Sequence, residues 1–213
     1  IYKNQLVLTG EINDVGAYTR TNIDYSERKG VEIEASYQIN DKVNWAGNAT
    51  FSENKIANFT EYVDNWDTWE QEKILYENTD ISFSPDLIWT SIFSYQLWDN
   101  MNIQFISKYV DGQYIDNTSS TDRMLDAYLV HTGRFSWIVD SKLFNTTKIT
   151  FQVNNLLNEK YTNNAWVYRF ISENWDPRES DPYINANSEG SYDMAGYFPQ
   201  AGRNFLLGVS LGF

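Results

Sequence analysis

Cysteine is absent from this chain of 213 residues, and histidine occurs once, at position 131. Without thiols there is neither a disulfide framework nor a thiolate metal site, which excludes disulfide-stapled mini-domains and zinc modules. With His131 alone and serines scattered outside any elbow motif, Ser-His-Asp hydrolysis has no support; no catalytic residue is assigned, and no cofactor is implied. Long apolar runs are also missing. None approaches the ~18–20 residues that a membrane helix needs, and mean hydropathy is −0.53. Cations are few beside acids, 16 against 29, and such a polyanion is unsuited to nucleic acid, whose binding rests on cations meeting phosphates. The chain begins at Ile1, without Met or a signal peptide, which reads as a processed product or a piece of something longer.

What is present in excess is aromatic side chains, 16% of the chain with 8 Trp and 15 Tyr, and strict alternation. Phe205, Leu207, Val209, Leu211 and Phe213 share one parity, with Gly208, Ser210 and Gly212 on the other. In a strand, that gives one apolar face and one slim face. Val31, Ile33, Ala35, Tyr37 and Ile39 alternate with Glu32, Glu34, Ser36 and Gln38, a pattern no amphipathic helix tolerates. The same grammar recurs over about 2–11, 43–59, 87–97, 101–109, 125–137 and 148–157, which with 30–39 and 203–213 predicts eight membrane-length strands. In the first, Tyr2, Leu6 and Leu8 are expected to meet lipid. The connections alternate between long, about 12–27, 60–82, 115–123 and 158–202, and short, 40–42, 99–100 and 140–147. That alternation predicts an all-β, transmembrane, antiparallel up-and-down β-barrel with long loops outside and Phe213 at the periplasmic rim.

Heights along the strands place Tyr37, Trp45, Tyr95, Trp98, Trp137 and Phe213 near one rim and Phe51, Trp89, Tyr109 and Phe205 near the other, as two aromatic girdles require. The opposite parity carries Glu32, Glu34, Lys108, Asp126, Arg134 and Lys148. Burying unpaired charge costs several kcal/mol, so a wide hydrated lumen suits these groups better than the filled interior of a closed eight-stranded barrel. His131 falls on the lipid parity and reads as a local packing residue.

Gln5-Leu6-Val7-Leu8-Thr9-Gly10 with Arg28-Lys29-Gly30-Val31-Glu32-Ile33-Glu34, then 151–161 (FQVNNLLNEKY), then 197–205 (YFPQAGRNF) resemble the C-terminal part of a TonB-dependent outer-membrane receptor of the Bacteroidota type. The resemblance implies the last eight strands of a barrel of about 22 strands, spanning residues 1–213, with the plug domain and the TonB-contacting segment upstream and absent from this chain. It implies import of a scarce nutrient (siderophore, cobalamin, glycan or peptide), driven through TonB. The partners it implies are the remainder of the same receptor, the barrel-assembly machinery, outer-membrane lipid and lipopolysaccharide, and a surface lipoprotein. It further implies that the strand bearing Phe205, Leu207, Val209, Leu211 and Phe213 is the barrel-assembly signal.

Charge and aromatics coincide in two predicted outer loops. Residues 60–82 hold seven acids to one lysine and 172–202 six acids to one arginine, so these segments carry −11 of the net −13. Trp66, Trp69, Trp166 and Trp175 lie in the same long loops and are the candidate ligand-binding residues; they could stack on a sugar ring or a planar chelate, or pack the loops together. Such a surface suits neutral or cationic cargo better than a polyanion. Asp176, Glu179 and Asp181 offer hard oxygens to a cation, though a solvated acidic loop is the plainer reading, and no metal site is assigned. A complete eight-stranded structural or adhesive barrel and a soluble carbohydrate-binding β-sandwich are the alternatives. A sandwich would bring Ile33, Phe93, Phe151 and Leu207 onto a shared dry centre.

Overall fold

The computed structural model describes residues 5–12, 18–139 and 144–213, and nearly all of its regular structure is strand. In chain order the strands are β1 (Gln5–Ile12), β2 (Tyr18–Ile23), β3 (Ser26–Asn40), β4 (Val43–Asn65), β5 (Glu70–Asp80), β6 (Leu87–Trp98), β7 (Met101–Val110), β8 (Gln113–Tyr114), β9 (Met124–Leu125), β10 (Tyr128–Val139), β11 (Thr146–Asn154), β12 (Thr162–Ile171), β13 (Ile184–Ala186), β14 (Tyr192–Pro199) and β15 (Asn204–Gly212). One 3₁₀ turn, Pro177–Glu179, interrupts them.

β3, β4, β6, β7, β10, β11 and β15 pair in that order, each antiparallel to the next, as an up-and-down wall. Short polar connections make the meander possible. Between β3 and β4 the Asn40 carboxamide oxygen accepts the backbone N–H groups of Lys42 and Val43, so the side chain closes the turn in place of main chain. Gly30 lets β3 run close to β4, since a Cβ there would meet the Phe51 carbonyl oxygen at 2.4 Å.

Register carries the alternation across the wall. One rung reads Tyr37, Trp45, Phe93, Phe105, Gly133, Val153 and Phe205, and it lies on the apolar face. Ile33, Phe93, Phe151 and Leu207 are 53%, 47%, 42% and 72% exposed, so they converge on no dry centre, and an apolar patch of that extent marks a surface meant for something other than water. The neighbouring rung on the other face reads Gln38, Asn44, Ser94, Gln104, Arg134, Gln152 and Leu206. Its polar groups bond along the rung, with Arg134 donating to Gln152 at 2.7 Å and Gln104 to Ser94 at 3.2 Å. Trp89 stacks on Tyr109 and Phe151 on Phe205 at the loop end, while Phe144 meets Phe213 edge-on at the turn end. His131 packs locally, as its place on the apolar parity suggested. Its Nδ1 is 2.9 Å from the Ser107 hydroxyl and its ring lies over Phe105.

Three expectations change. The first predicted strand does not join the wall, which has seven strands among the described residues. β1 instead pairs with β2 in its own two-stranded sheet, turning much of the predicted 12–27 loop into strand. The reason is packing: Val7 and Ile23 bury against Ile56, Phe59 and Ile81, a stronger demand than placing Leu6 and Leu8 in lipid; Tyr2 lies outside the described residues. The segment 60–82 is a hairpin rather than a loop, because β4 runs on to Asn65 and β5 returns along it. The segment 158–202 likewise holds β12, β13 and β14, with β12 meeting the end of β4 in parallel. These pieces, with β8 and β9, build a cap over the loop end of the wall. β3 and β15 each pair on one side among the described residues, so the two margins of the wall do not close on each other as an eight-stranded barrel would require.

Candidate functional site

Two arginines organise the cap. Arg123, immediately before β9 and only 1% exposed, contacts Asp116 at 2.6 Å and Asp193 and Glu189 at 3.4 Å. Arg169 on β12 contacts Glu61 and Glu189, both at 2.7 Å, and donates to the Tyr76 hydroxyl at 2.6 Å. Glu189 thus joins the two cations, and Tyr76 closes the network by donating to Glu61 at 2.9 Å. Buried charge is tolerable only when paired and hydrogen-bonded, and here the acids outnumber the cations four to two. The titration behaviour follows. Desolvation pushes Glu61 and Asp193 above the usual carboxylate range, with Arg169 and Arg123 respectively opposing it. Burial alone would lower Arg123, but Asp116, Asp193 and Glu189 outweigh it and hold the guanidinium above its usual value. Burial, with Glu61 adding to it, raises Tyr76.

Beside this network lies a cavity of about 840 Å³, within the ~300–1,000 Å³ usual for small-ligand sites. Leu8 and Thr9 of β1 and Phe59, Glu61 and Tyr62 of β4 form one side, and Asn163 to Val167 of β12 the other. β4 and β12 pair through their backbones at Asp64 and Asn65 against Phe170 and Ile171, and residues of both strands line the cavity. Asn117 donates to the Leu8 carbonyl at 3.0 Å, tying the 115–123 loop to β1.

The four candidate tryptophans fall into three settings. Trp66 stacks on Phe170 at 3.9 Å and on Trp175 at 6.0 Å, and its indole N–H donates to Tyr168. Tyr168 in turn donates to Asp64 at 2.7 Å; burial, and then that bond, push its pKa up to about 12. Trp66 and Trp175 therefore bind the β4–β5 hairpin to the segment after β12. Asp67 reinforces the same join by accepting the backbone N–H groups of Glu173 and Asn174. Trp69 stands at the hairpin tip, 88% exposed and with φ +61°. Trp166 alone of the four lines the cavity. Asp176 caps the 3₁₀ turn through the Arg178 N–H and pairs with the Arg178 guanidinium, while Asp181 accepts the Tyr183 N–H; these oxygens serve the chain itself.

The sequence reading did not single out Arg123, Arg169, Asp116 or Tyr76. A signal existed: Arg123 closes the predicted polar loop 115–123 and Arg169 stands in the strand leading into the second acidic segment. Counting charge by segment concealed that the acids of one segment meet a cation outside it.

No protein-family model and no curated protein matches the sequence. Solved structures do match in shape. The ferric-catecholate import receptor Fiu from E. coli K12 has 19% identity and a TM-score of 0.55 over 99% of this chain and 24% of its own. The siderophore receptor PiuA from Acinetobacter baumannii has 16% identity and a TM-score of 0.61, covering 97% and 24%, and the copper transporter OprC 16% and 0.60, covering 99% and 27%. The chain spans about a quarter of the length of these proteins. At such identities the likeness concerns fold alone: the chain shares the all-β, curled partial-barrel arrangement of a part of these receptors.

Proposed function

We propose that this chain is the C-terminal part of the barrel wall of a TonB-dependent outer-membrane transporter, which captures a scarce nutrient at its outer face and imports it with energy delivered through TonB. The observation that supports this reading most directly is the two-faced wall: aromatic and aliphatic side chains exposed on one side, a hydrogen-bonded Gln, Asn and Arg ladder on the other. Lipid outside and a hydrated lumen inside is the environment that stabilises both faces at once. On this reading the tight turns face the periplasm, the cap faces outward, and the cavity beside Arg169 is the capture site. The remaining strands and the plug belong to the rest of the receptor.

The partners follow from the same placement. TonB acts on the plug, outer-membrane lipid and lipopolysaccharide contact the apolar face, and a surface lipoprotein could rest on the cap. The barrel-assembly machinery reads Phe205, Leu207, Val209, Leu211 and Phe213, which leave β15 with an apolar edge and an aromatic end. Removing Phe213 from the full-length receptor should lower the amount inserted while leaving the affinity of the inserted fraction unchanged; normal membrane levels would exclude the signal.

The test of the transport reading is accumulation of label in cells carrying the full-length receptor, with and without TonB. Accumulation that requires both supports it. Accumulation indifferent to TonB would end it.

A further inference from the structure

A polar rung interrupts the apolar face of the wall. Gly47, Ser91, Ser107 and His131 stand side by side across β4, β6, β7 and β10, on the parity that otherwise carries aromatic and aliphatic side chains. Trp45, Phe93 and Phe105 flank it toward the turns, and Ala49, Trp89, Tyr109 and Leu129 toward the loops. Two of the flanking rings bend to it. Trp45 leans over Gly47, where a Cβ would come within 3.0 Å of its Cζ2, and gives its indole N–H to the Ser91 hydroxyl at 2.9 Å. Phe105 stacks on His131, whose Nδ1 is taken up by Ser107.

Hydrogen-bonding capacity is left over at two points. Ser91 accepts from Trp45, and its own O–H proton has no acceptor among the described residues. His131 spends Nδ1 on Ser107, which leaves Nε2 without a partner among the described residues, as donor or acceptor according to the tautomer. Both side chains are partly exposed on this face. In hydrocarbon a polar group with no partner is costly, so polar residues at membrane depth mark sites of interaction. Depth decides what can meet these two. Consecutive same-face rungs are about 7 Å apart along a strand, which a barrel tilt of about 40° turns into about 5 Å of depth. The rung lies that far beneath the stacked Trp89 and Tyr109, and the Tyr109 hydroxyl reaches up to Asp111 at 3.0 Å. Acyl chains join a lipid headgroup at that level.

Spacing narrows the choice of lipid. Ser91 and His131 are two strand spacings apart, about 10 Å. The two ester carbonyls of a glycerophospholipid sit on adjacent carbons, too close together to serve both. A lipid acylated around a disaccharide spreads its carbonyls and acyl hydroxyls over such a distance and offers donors as well as acceptors. We infer that this rung seats one lipopolysaccharide molecule, its acyl linkages bonded to Ser91 Oγ and His131 Nε2 beneath the Trp89–Tyr109 stack. The seat rests on the transporter reading, in which the apolar face meets lipid and the loop end faces outward.

The test titrates delipidated full-length receptor in detergent with rough-type lipopolysaccharide and, separately, with phosphatidylethanolamine, and reads bound lipid by native mass spectrometry. Ser91→Ala combined with His131→Leu should weaken the tightest lipopolysaccharide step at least about tenfold, the loss expected of two hydrogen bonds, and leave phosphatidylethanolamine unchanged. His131→Gln, which keeps a donor and an acceptor, should retain more affinity than His131→Leu. Ser94→Ala, on β6 but on the opposite face, should change neither lipid. If the double variant fails to insert, the contrast between His131→Gln and His131→Leu carries the test. Lipopolysaccharide binding indifferent to these residues, or phosphatidylethanolamine weakened by the same factor, overturns the inference. Indifferent binding with TonB-dependent accumulation would overturn it and leave transport standing; binding that needs Ser91 and His131 with accumulation indifferent to TonB would do the reverse.

Discussion

In the wall, Ile33, Phe93 and Leu207 point away from the protein and stay exposed; in the cap, Val63 and Phe170 are wholly buried and the charged Arg123 is buried with them. The wall is stabilised by its surroundings and the cap by itself. On the transporter reading a wall residue answers to lipid or to lumen water according to parity, so its role is local and repeats every second position. A cap residue answers to whichever segment folds onto it, as Arg169 does to Glu61 from a strand more than a hundred positions away. Substitutions should therefore fail in different ways in the two regions.

The sharpest way to break the comparison is at Arg169. Arg169→Met leaves Glu61 without its cation and Glu189 with Arg123 alone, and stranding a buried charge costs about 3–5 kcal/mol. Glu61, already pushed up by desolvation, should then take a proton instead of remaining charged. Amide exchange across β12 and β14 should accelerate strongly in the full-length receptor, while the heat-dependent gel mobility of the folded barrel is kept. Loss of both together would show that cap and wall are one cooperative unit and would end the distinction.

A lysine pair comes next in size. Phe93→Lys and Gln104→Lys sit on neighbouring rungs of paired strands, on opposite faces. A lysine on the lipid face near mid-membrane should cost about 2–4 kcal/mol, and one on the lumen face, in water, close to nothing. Urea unfolding of the receptor in lipid vesicles measures both. Equal costs would place lipid on both faces or on neither.

Legibility in the sequence follows the same division. β3, β6, β7 and β15 lie within a few residues of their predicted spans, and the turns at 40–42 and 99–100 stand where polar residues interrupt the alternation. A two-sided environment writes itself into the chain at period two, so those elements can be read without a partner. β5, β12 and β14 could not be, because no lipid enforces their parity. β4 shows the change within one strand. Asn54 and Ile56 are buried on one parity, and then Phe59, Glu61 and Val63 on the other, opposite Asn78 with φ +55°. A local irregularity of this kind re-aims side chains, and nothing in the spacing announces it. For the candidate site, the sequence identified the tryptophans, but which one meets a cavity was decided by long-range pairing with Gly196.

The smallest expected effect is on exposed ties of the cap, through pH. Asp67 is held below its ordinary value of 3.8 by the Glu173 N–H, Asp122 by the Ser188 hydroxyl and N–H, and Asp176 by Arg178, down to about 2. The folded cap therefore binds fewer protons at these sites than the unfolded chain, and their stabilisation is complete above 3.8 and lost as pH falls toward about 2. Glu61 and Asp193 run the other way, since their raised values mean that acid relieves a strain present at neutral pH. The cap should accordingly hold or tighten slightly on the way down to the ordinary aspartate value and loosen below it, first at 172–176 and 187–189, where the exposed ties sit. The wall, whose mid-strand lipid-facing residues include no carboxylate, should show no such turning point near the ordinary aspartate value. Amide exchange of the two regions against pH, corrected for intrinsic rates, reads this directly. Asp67→Asn should remove part of the low-pH loosening around Glu173, and a cap that loosens steadily from neutrality instead would mean that the buried acids, rather than the surface ties, control it.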